Sequence, residues 1–265
     1  MVDKQKLLDN AISMAREAGE ILLSYFRGNA LEVTSKLNDY DIVTTADKAS
    51  ERHIISSIRS LFPTHSIITE EAGELCGESE LRWVIDPLDG TTNFSQGLPV
   101  FSVSIAVEHN TKPIVGVVFA PYLNELFYSV EGKGAYLNGK KLKCSNKERL
   151  EEAVVVTGIP YDKRDNPDNN IKEVSKVAPK VRGLRRMGSA ALDLCYVAAG
   201  FFDAYWELNL KRWDVAAGTL IAQGAGAKLF SIRENRNHSI LMAAPGVCDK
   251  MLEILLTPNL HPGAH

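Results

Sequence analysis

An α+β chain, with helices and then mostly antiparallel strands in its first half and alternating strands and helices in its second, is the fold class that three observations predict. Apolar residues recur every three or four positions at the start of the chain. Short apolar runs follow from residue 66 to residue 130, one of them with a period of two. Beyond residue 150, strand-like runs are separated by helix-like ones.

The first helix is set by Leu8, Ala11, Ile12, Ala15, Ala18, Leu22, Tyr25 and Phe26, with Gly28 as its stop. A second helix is expected over 46–61, with Ala49, Ile54, Ile55, Ile58 and Leu61 on its apolar side and Pro63 closing it. Asp47 falls in its first turn, where a carboxylate complements the helix dipole. Strands are expected over 66–69, 82–85, 100–107, 114–120 and 126–130, and in the third of these Phe101, Val103, Ile105 and Val107 alternate with Ser102, Ser104 and Ala106. Asn138-Gly139 is a hairpin signal between Tyr136-Leu137 and Lys140-Lys141. A polar stretch over 162–170 interrupts the pattern. Strands are then expected over 154–157, 183–187, 204–208, 228–230 and 240–243, with helices between them and over 245–256. The boundary is expected near Leu150, giving a lobe over 1–150 and a second over 151–265 with the site between them. The last eight residues, 258–265, read as a loose tail.

A chain of 265 residues with 45% hydrophobic composition can bury a substantial core. A formal charge of −3 gives no broad reason to expect nucleic-acid binding. The basic cluster Lys180, Arg182, Arg185 and Arg186 is the local exception, a solvated edge unless a phosphate-rich ligand or a transcription partner uses it. Cys76, Cys144, Cys195 and Cys248 form no C-x-x-C pair, so neither a zinc site nor a disulfide framework is indicated, and a cytoplasmic location follows as the expectation. No run approaches the ~18 apolar residues of a membrane span.

The chemistry concentrates in Asp86-Pro-Leu-Asp-Gly-Thr-Thr-Asn93, directly after the apolar run Trp83-Val-Ile85. Mg²⁺ takes one or two carboxylates plus phosphate oxygens, and Asp86 and Asp89 offer the first while the Leu88 carbonyl adds a further oxygen. Gly90 permits close backbone approach, and Thr91-Thr92 can open a helix whose free N–H groups attract an anion. An isolated Asp-Gly-Thr would be read as a surface turn, and the longer string argues against that. Glu70-Glu71 follows the strand over 66–69, and one loop and one strand separate it from Asp86. Trp213-Asp214-Val-Ala-Ala-Gly218 begins another helix, with Asp214 where an N-cap would sit, and Glu207 closes a strand-like run. Gly188-Ser189-Ala190 precedes a helix and can present backbone and hydroxyl groups to a sugar-like ligand. The histidines occur in no metal or triad spacing.

In this order and separation, Glu70-Glu71, the Asp86–Asn93 string and Trp213–Gly218 resemble the signature motifs of the inositol monophosphatase family, the Mg²⁺-dependent, Li⁺-sensitive phosphatases that include fructose-1,6-bisphosphatase. Lys36, the stretch from Asp41 to Asp47, Gly188-Ser189-Ala190 and Glu207 extend the resemblance over nearly the whole chain. It implies a layered αβαβα fold, roughly two to three Mg²⁺ ions per site, a homodimer, and a small phosphorylated polyol or sugar as substrate. It assigns Glu70, Asp86 and the Leu88 carbonyl to one metal, Asp86, Asp89 and Asp214 to a second, and places Glu70 beside a third. It gives Thr91 and Asp47 the task of orienting and deprotonating the attacking water. Gly90, Thr91 and Thr92 would hold phosphate, and Gly188, Ser189, Ala190 and Glu207, with Asp89 and Asp214, would face the substrate. Two departures, Gln223-Gly-Ala-Gly-Ala227 and Lys211-Arg212 where many bacterial members carry Lys-Pro, bear on the leaving group and spare the metal ligands. The expected activity is hydrolysis of myo-inositol 1-phosphate, with fructose 1,6-bisphosphate, histidinol phosphate and 3′-phosphoadenosine 5′-phosphate as rivals. A regulatory protein bound to transcription machinery and a bare metal- or sugar-binding module are the readings outside enzymology.

Overall fold

A computed structural model describes residues 2–35 and 42–257, so Lys36, Asp41 and the tail over 258–265 lie outside the described residues. Helix α1 (Lys4–Tyr25) begins where the Asp3 carboxylate accepts the Lys6 N–H, and it buries Leu7, Leu8, Ala11, Met14, Ala15, Ala18 and Leu22. An antiparallel pair, β1 (Val33–Ser35) and β2 (Ile42–Thr44), leads into α2 (Thr45–Leu61). The Thr44 hydroxyl accepts from the Ala46 and Asp47 amides while the Asp47 carboxylate accepts the Thr44 N–H at 2.8 Å, a reciprocal cap that fixes where α2 starts.

Strands β3 (Ser66–Thr69), β4 (Gly73–Leu75), β5 (Leu81–Asp89), β6 (Ser102–His109), β7 (Lys112–Ala120), β8 (Glu125–Val130), β9 (Ala135–Leu137) and β10 (Lys140–Lys141) form one sheet in the spatial order β10-β9-β8-β7-β6-β5-β3-β4. All its neighbours are antiparallel except β3 and β5. Asn138 and Gly139 both adopt positive φ, 47° and 80°, as the two-residue turn between β9 and β10 requires. A single turn of helix, α3 (Thr91–Ser95), follows β5. The remaining chain runs β11 (Val154–Thr157), α4 (Ile171–Val177), β12 (Gly183–Arg185), α5 (Ala190–Ala198), β13 (Ala204–Leu210), α6 (Arg212–Gly224), β14 (Lys228–Ser231), β15 (His238–Ala243) and α7 (Pro245–Leu256). Its sheet has the order β12-β11-β13-β15-β14, with β12, β11 and β13 parallel and β15 antiparallel to both neighbours.

Helices α1 and α2 cover one face of the eight-stranded sheet, α5 and α6 lie between the two sheets, and α4 and α7 pack together beyond the second. The layering is therefore αβαβα. The period of two in β6 explains how one strand serves two layers: Val103, Ile105 and Val107 join the core under α1 and α2, while Ser102, Ser104, Ala106 and Glu108 face the middle helices. Small residues let those helices approach. A Cβ on Gly116 of β7 would stand 2.9 Å from the Ala217 carbonyl oxygen, and one on Gly218 would stand 2.8 Å from the Leu194 side chain of α5. No described helix is long and apolar enough to cross a membrane.

Candidate active site

Asp86 and Asp89 are three residues apart, and in a regular strand such residues face opposite sides of the sheet. Their partners on β6, Ser104 and Ser102, are only two apart, so β5 carries a one-residue bulge between the acids. Both carboxylates are thereby delivered to the face that looks toward α5 and α6. Pro87 is tolerated because it sits in the bulge, where its carbonyl accepts the Ser50 hydroxyl at 2.8 Å. Asp86 Oδ1 accepts the Leu88 N–H at 3.1 Å. Strand β5 runs through to Asp89, beyond the residue-85 end expected from the apolar run.

Glu70 lies one step past the Thr69–Ile85 pairing of the parallel strands β3 and β5, level with Asp86. Its turn is fastened by Glu51 of α2, whose Oε1 accepts the Thr69 hydroxyl at 2.6 Å and the Glu71 and Ala72 amides at 3.0 and 3.1 Å. Burial drives the Asp86 carboxyl well above the usual range, and Glu70, Asp89 and Asp214 push it further. Burial also raises Asp89, against four hydrogen bonds that favour its charged form. These come from Ser189 Oγ at 2.6 Å, the Ala191 and Ala190 amides at 2.9 and 3.0 Å, and Ser102 Oγ at 3.2 Å. Asp89 thus caps α5 from another strand, and Ser189 presents its hydroxyl to Asp89.

Asp214 is the third residue of α6, and its Oδ2 accepts the Lys211 N–H at 2.7 Å. The N-cap position belongs to Lys211, which corrects the placement expected from sequence. Asp214 is raised well above the usual range by burial first, then by Glu70, Asp89 and Glu207.

Gly90 stands at φ 97°, a conformation that costs other residues about 1–2 kcal/mol, and a Cβ there would meet the Val100 carbonyl oxygen at 3.0 Å. Helix α3 opens immediately after it, and its first helical bond runs from the Phe94 amide to the Gly90 carbonyl, so the amides of Thr91 and Thr92 precede the ladder. The Thr91 hydroxyl is 3.0 Å from both Asp47 Oδ1 and the Leu88 carbonyl oxygen. Burial raises Asp47 to about 6, opposed by its bonds from Thr44 and Thr91. Asn93 ties this turn to the next layer through 2.7 Å bonds to the Val100 and Met187 carbonyls.

Glu207 of β13 accepts the Tyr205 hydroxyl at 2.8 Å, and burial lifts it to about 7 although Arg186 draws it down. Its carboxylate occupies the space that a Cβ on Gly158 would fill.

The structure therefore gathers Asp47, Glu70, Asp86, Leu88, Asp89, Gly90, Thr91 and Asp214 around the ends of β3 and β5 and the starts of α2, α3 and α6. Ser189 and Ala190 join them through Asp89. The charge of Glu207 raises the carboxyl of Asp214, so the two are within electrostatic reach of each other. Two participants were missed in the sequence. Glu51 was signalled by an acid on the buried face of α2, in step with Ile54 and Ile58. Asp193 was signalled by an acid inside the apolar run Ala190–Ala198; it is buried, its Oδ1 has no hydrogen-bond partner among the described residues, and burial, Glu207 and Asp89 all raise it.

Among the described residues no three His, Cys, Asp or Glu side chains stand close enough together to hold a metal ion. The donors fit a hard cation in kind, being oxygen atoms whose charges oppose one another at Glu70, Asp86, Asp89 and Asp214. That repulsion favours wider separations than a bound divalent cation would impose.

The model of the inositol monophosphatase family matches residues 3–262. The chain is 46% identical over 255 residues to a protein named Nus factor SuhB from Pasteurella multocida strain Pm70, covering 93% of this chain and 94% of that one. Its fold is similar to the inositol monophosphatase of Anabaena (Nostoc) sp. PCC 7120, with a TM-score of 0.86, 38% identity and coverage of 98% and 99%. It is also similar to the extragenic suppressor protein suhB of Bartonella henselae, with a TM-score of 0.88, 36% identity and coverage of 94% and 98%. With its layered architecture and the family model matched over residues 3–262, the chain belongs to the inositol monophosphatase family.

Proposed function

We propose that the protein is a Mg²⁺-dependent phosphomonoesterase acting on a small polyol or sugar phosphate, with myo-inositol 1-phosphate the leading candidate. The observation that carries this reading is that buried Asp86 and Asp89 and half-buried Asp214, whose charges raise one another, lie at the element ends where the Thr91 hydroxyl meets Asp47. Glu70, Asp86, the Leu88 carbonyl, Asp89 and Asp214 would hold Mg²⁺, which when bound polarises phosphate oxygens and offsets the charge that builds on the leaving group.

The chain's own residues do the rest. Thr91 has one hydroxyl proton and two acceptors at 3.0 Å; donating it to Asp47 leaves its oxygen lone pairs for a water hydrogen. Asp47, with a pKa raised to about 6, is ionised at neutral pH and close enough to that value to take up the proton. The amides that open α3 point donors at a phosphate without rearrangement. Glu207 and the backbone of Gly188 and Ala190 would meet the alcohol, while Ser189 steadies Asp89. A homodimer and inhibition by Li⁺ belong to the same reading.

The test is phosphate release with Mg²⁺ from inositol 1-phosphate, fructose 1,6-bisphosphate, histidinol phosphate and 3′-phosphoadenosine 5′-phosphate. A preference in kcat/KM that vanishes in Asp86→Asn names the substrate, because that carboxylate serves both proposed metals. Substantial Mg²⁺-dependent turnover in a folded Asp86→Asn protein would sink the site.

The name Nus factor, carried by relatives such as the one from Pasteurella multocida, favours a second reading in which the protein also binds transcription machinery. Arg185 of β12, an edge strand of the second sheet, and Lys180, Arg182 and Arg186 on either side of that strand are exposed and supply the candidate surface. Co-purification of RNA polymerase components that charge reversal there abolishes, and Asp86→Asn does not, would support it. Retention after charge reversal would remove that surface.

A further inference from the structure

Glu108 of β6 has no solvent-exposed side-chain surface, and both of its oxygens are taken by guanidinium groups. On one side Arg82 of β5 reaches Oε2 with Nη2 at 2.8 Å and Nε at 3.3 Å. On the other, Arg212 reaches Oε1 with Nε at 2.5 Å and with Nη2, and that Nη2 also donates to the Thr111 carbonyl at 2.7 Å. Arg82 stands four residues before Asp86 in the same strand, and Arg212 opens α6 two residues before Asp214. One buried carboxylate therefore links the strand that carries two site acids to the helix that carries the third.

We infer that the Arg82–Glu108–Arg212 bridge is a positioning device that sets Asp214 against Asp86 and Asp89. Among the described residues a further side-chain tie from β6 to the start of α6, Ser104 Oγ to the Trp213 carbonyl, is long at 3.4 Å. A planar guanidinium held at two nitrogens fixes direction as well as distance, which a single hydroxyl does not. Position 212 is also where the sequence departs from Lys-Pro. Proline at the first helical residue sets the helix start through its own ring; arginine there sets it through a side chain anchored on the neighbouring sheet. The approach of Asp214 to the acids of β5 meets charge repulsion, so this anchor opposes a force present whenever the site holds no cation.

The inference rests on the metal-dependent reading and is tested by direct binding. Mn²⁺ is titrated calorimetrically into metal-free wild type, Arg212→Ala, Arg212→Lys and the control Arg233→Ala, which breaks ion pairs to Asp168 and Glu173 instead. Loss of a group that orients a ligand typically weakens metal affinity by at least about tenfold. Arg212→Ala is expected to raise the Mn²⁺ Kd by about that factor, Arg212→Lys to recover part of it, and Arg233→Ala to leave it unchanged. Arg212 is partly exposed and Glu108 keeps Arg82, so the Arg212 variants should fold. A folded Arg212→Ala protein with the wild-type Kd, or an equal loss in the control, overturns the inference. Wild type that binds no Mn²⁺ overturns the metal-dependent reading and the inference with it, whereas wild type that binds and a variant that matches it overturns the bridge alone.

Discussion

Asp47 divides its two oxygens between different tasks: Oδ2 closes the cap on Thr44 at the start of α2, and Oδ1 faces the Thr91 hydroxyl. Its structural partner holds the side chain in one rotamer, so the oxygen left for Thr91 is already aimed. Removing the hydroxyl should therefore act on the chemical step. Thr91→Ala is expected to lower kcat by about 100-fold or more with a much smaller rise in KM; steady-state kinetics decide, and an unchanged kcat removes Thr91 from the mechanism. Asp47 must be ionised to accept a proton, so kcat should fall as pH drops through about 6. The pH profile of Asp47→Asn should lose that limb, and a limb that persists would belong to another group.

Elements were legible where their limits are local. The strands over 66–69 and 154–157 and the helix over 245–256 have the bounds read from sequence, because each is delimited by turn residues or a proline beside it. Elements held mainly by partners were not. The pair β1–β2 and the short β4 carry no apolar run long enough to be seen, and the continuation of β5 through a bulge depends on its pairing with β6. The site shows the same division. Its motif residues stand out as odd chemistry after a strand, whereas helix periodicity marks Glu51 only as a buried acid and the partners it serves lie about twenty residues away, in the turn after β3. That service can be measured: Glu51→Ala removes the acceptor of three donors, and leaving buried groups unpaired costs about 1–3 kcal/mol each. We expect the unfolding free energy from urea titration to drop by about 3 kcal/mol; a drop below about 1 kcal/mol would mean that the turn is held in other ways.

At the scale of the molecule, the layers that meet at the site concentrate acids whose charged forms burial disfavours, among them Asp47, Asp86, Asp89, Asp193, Asp214 and Glu207. A carboxyl whose folded pKa lies above its unfolded value contributes stability that is fully present below the unfolded pKa and is lost as pH rises through the folded one. Asp47 moves from 3.8 to about 6 and Glu207 from 4.5 to about 7, so the window lies between about 4 and 7. The metal-free protein should thus melt at a higher temperature near pH 5.5, roughly the middle of that window, than near pH 7.5, roughly above it. Mg²⁺ should narrow the difference by stabilising the charged forms. Calorimetry in chelator checks this, and a lower Tm at the acid pH would show that these acids are not what limits stability.

The bulge in β5 can also be put as a question of parity. Two side chains share a face of a strand when an even number of steps separates them, and Asp86 and Asp89 are separated by an odd number. The chain restores parity by taking three steps on β5 against two on β6, and within those steps the Leu88 carbonyl comes to 3.0 Å from the Thr91 hydroxyl. Odd spacing of acids at the end of an apolar run, with a proline between them, is thus a signature that can be counted in other chains: it predicts an unpartnered residue, which a surface turn has no neighbouring strand to enforce.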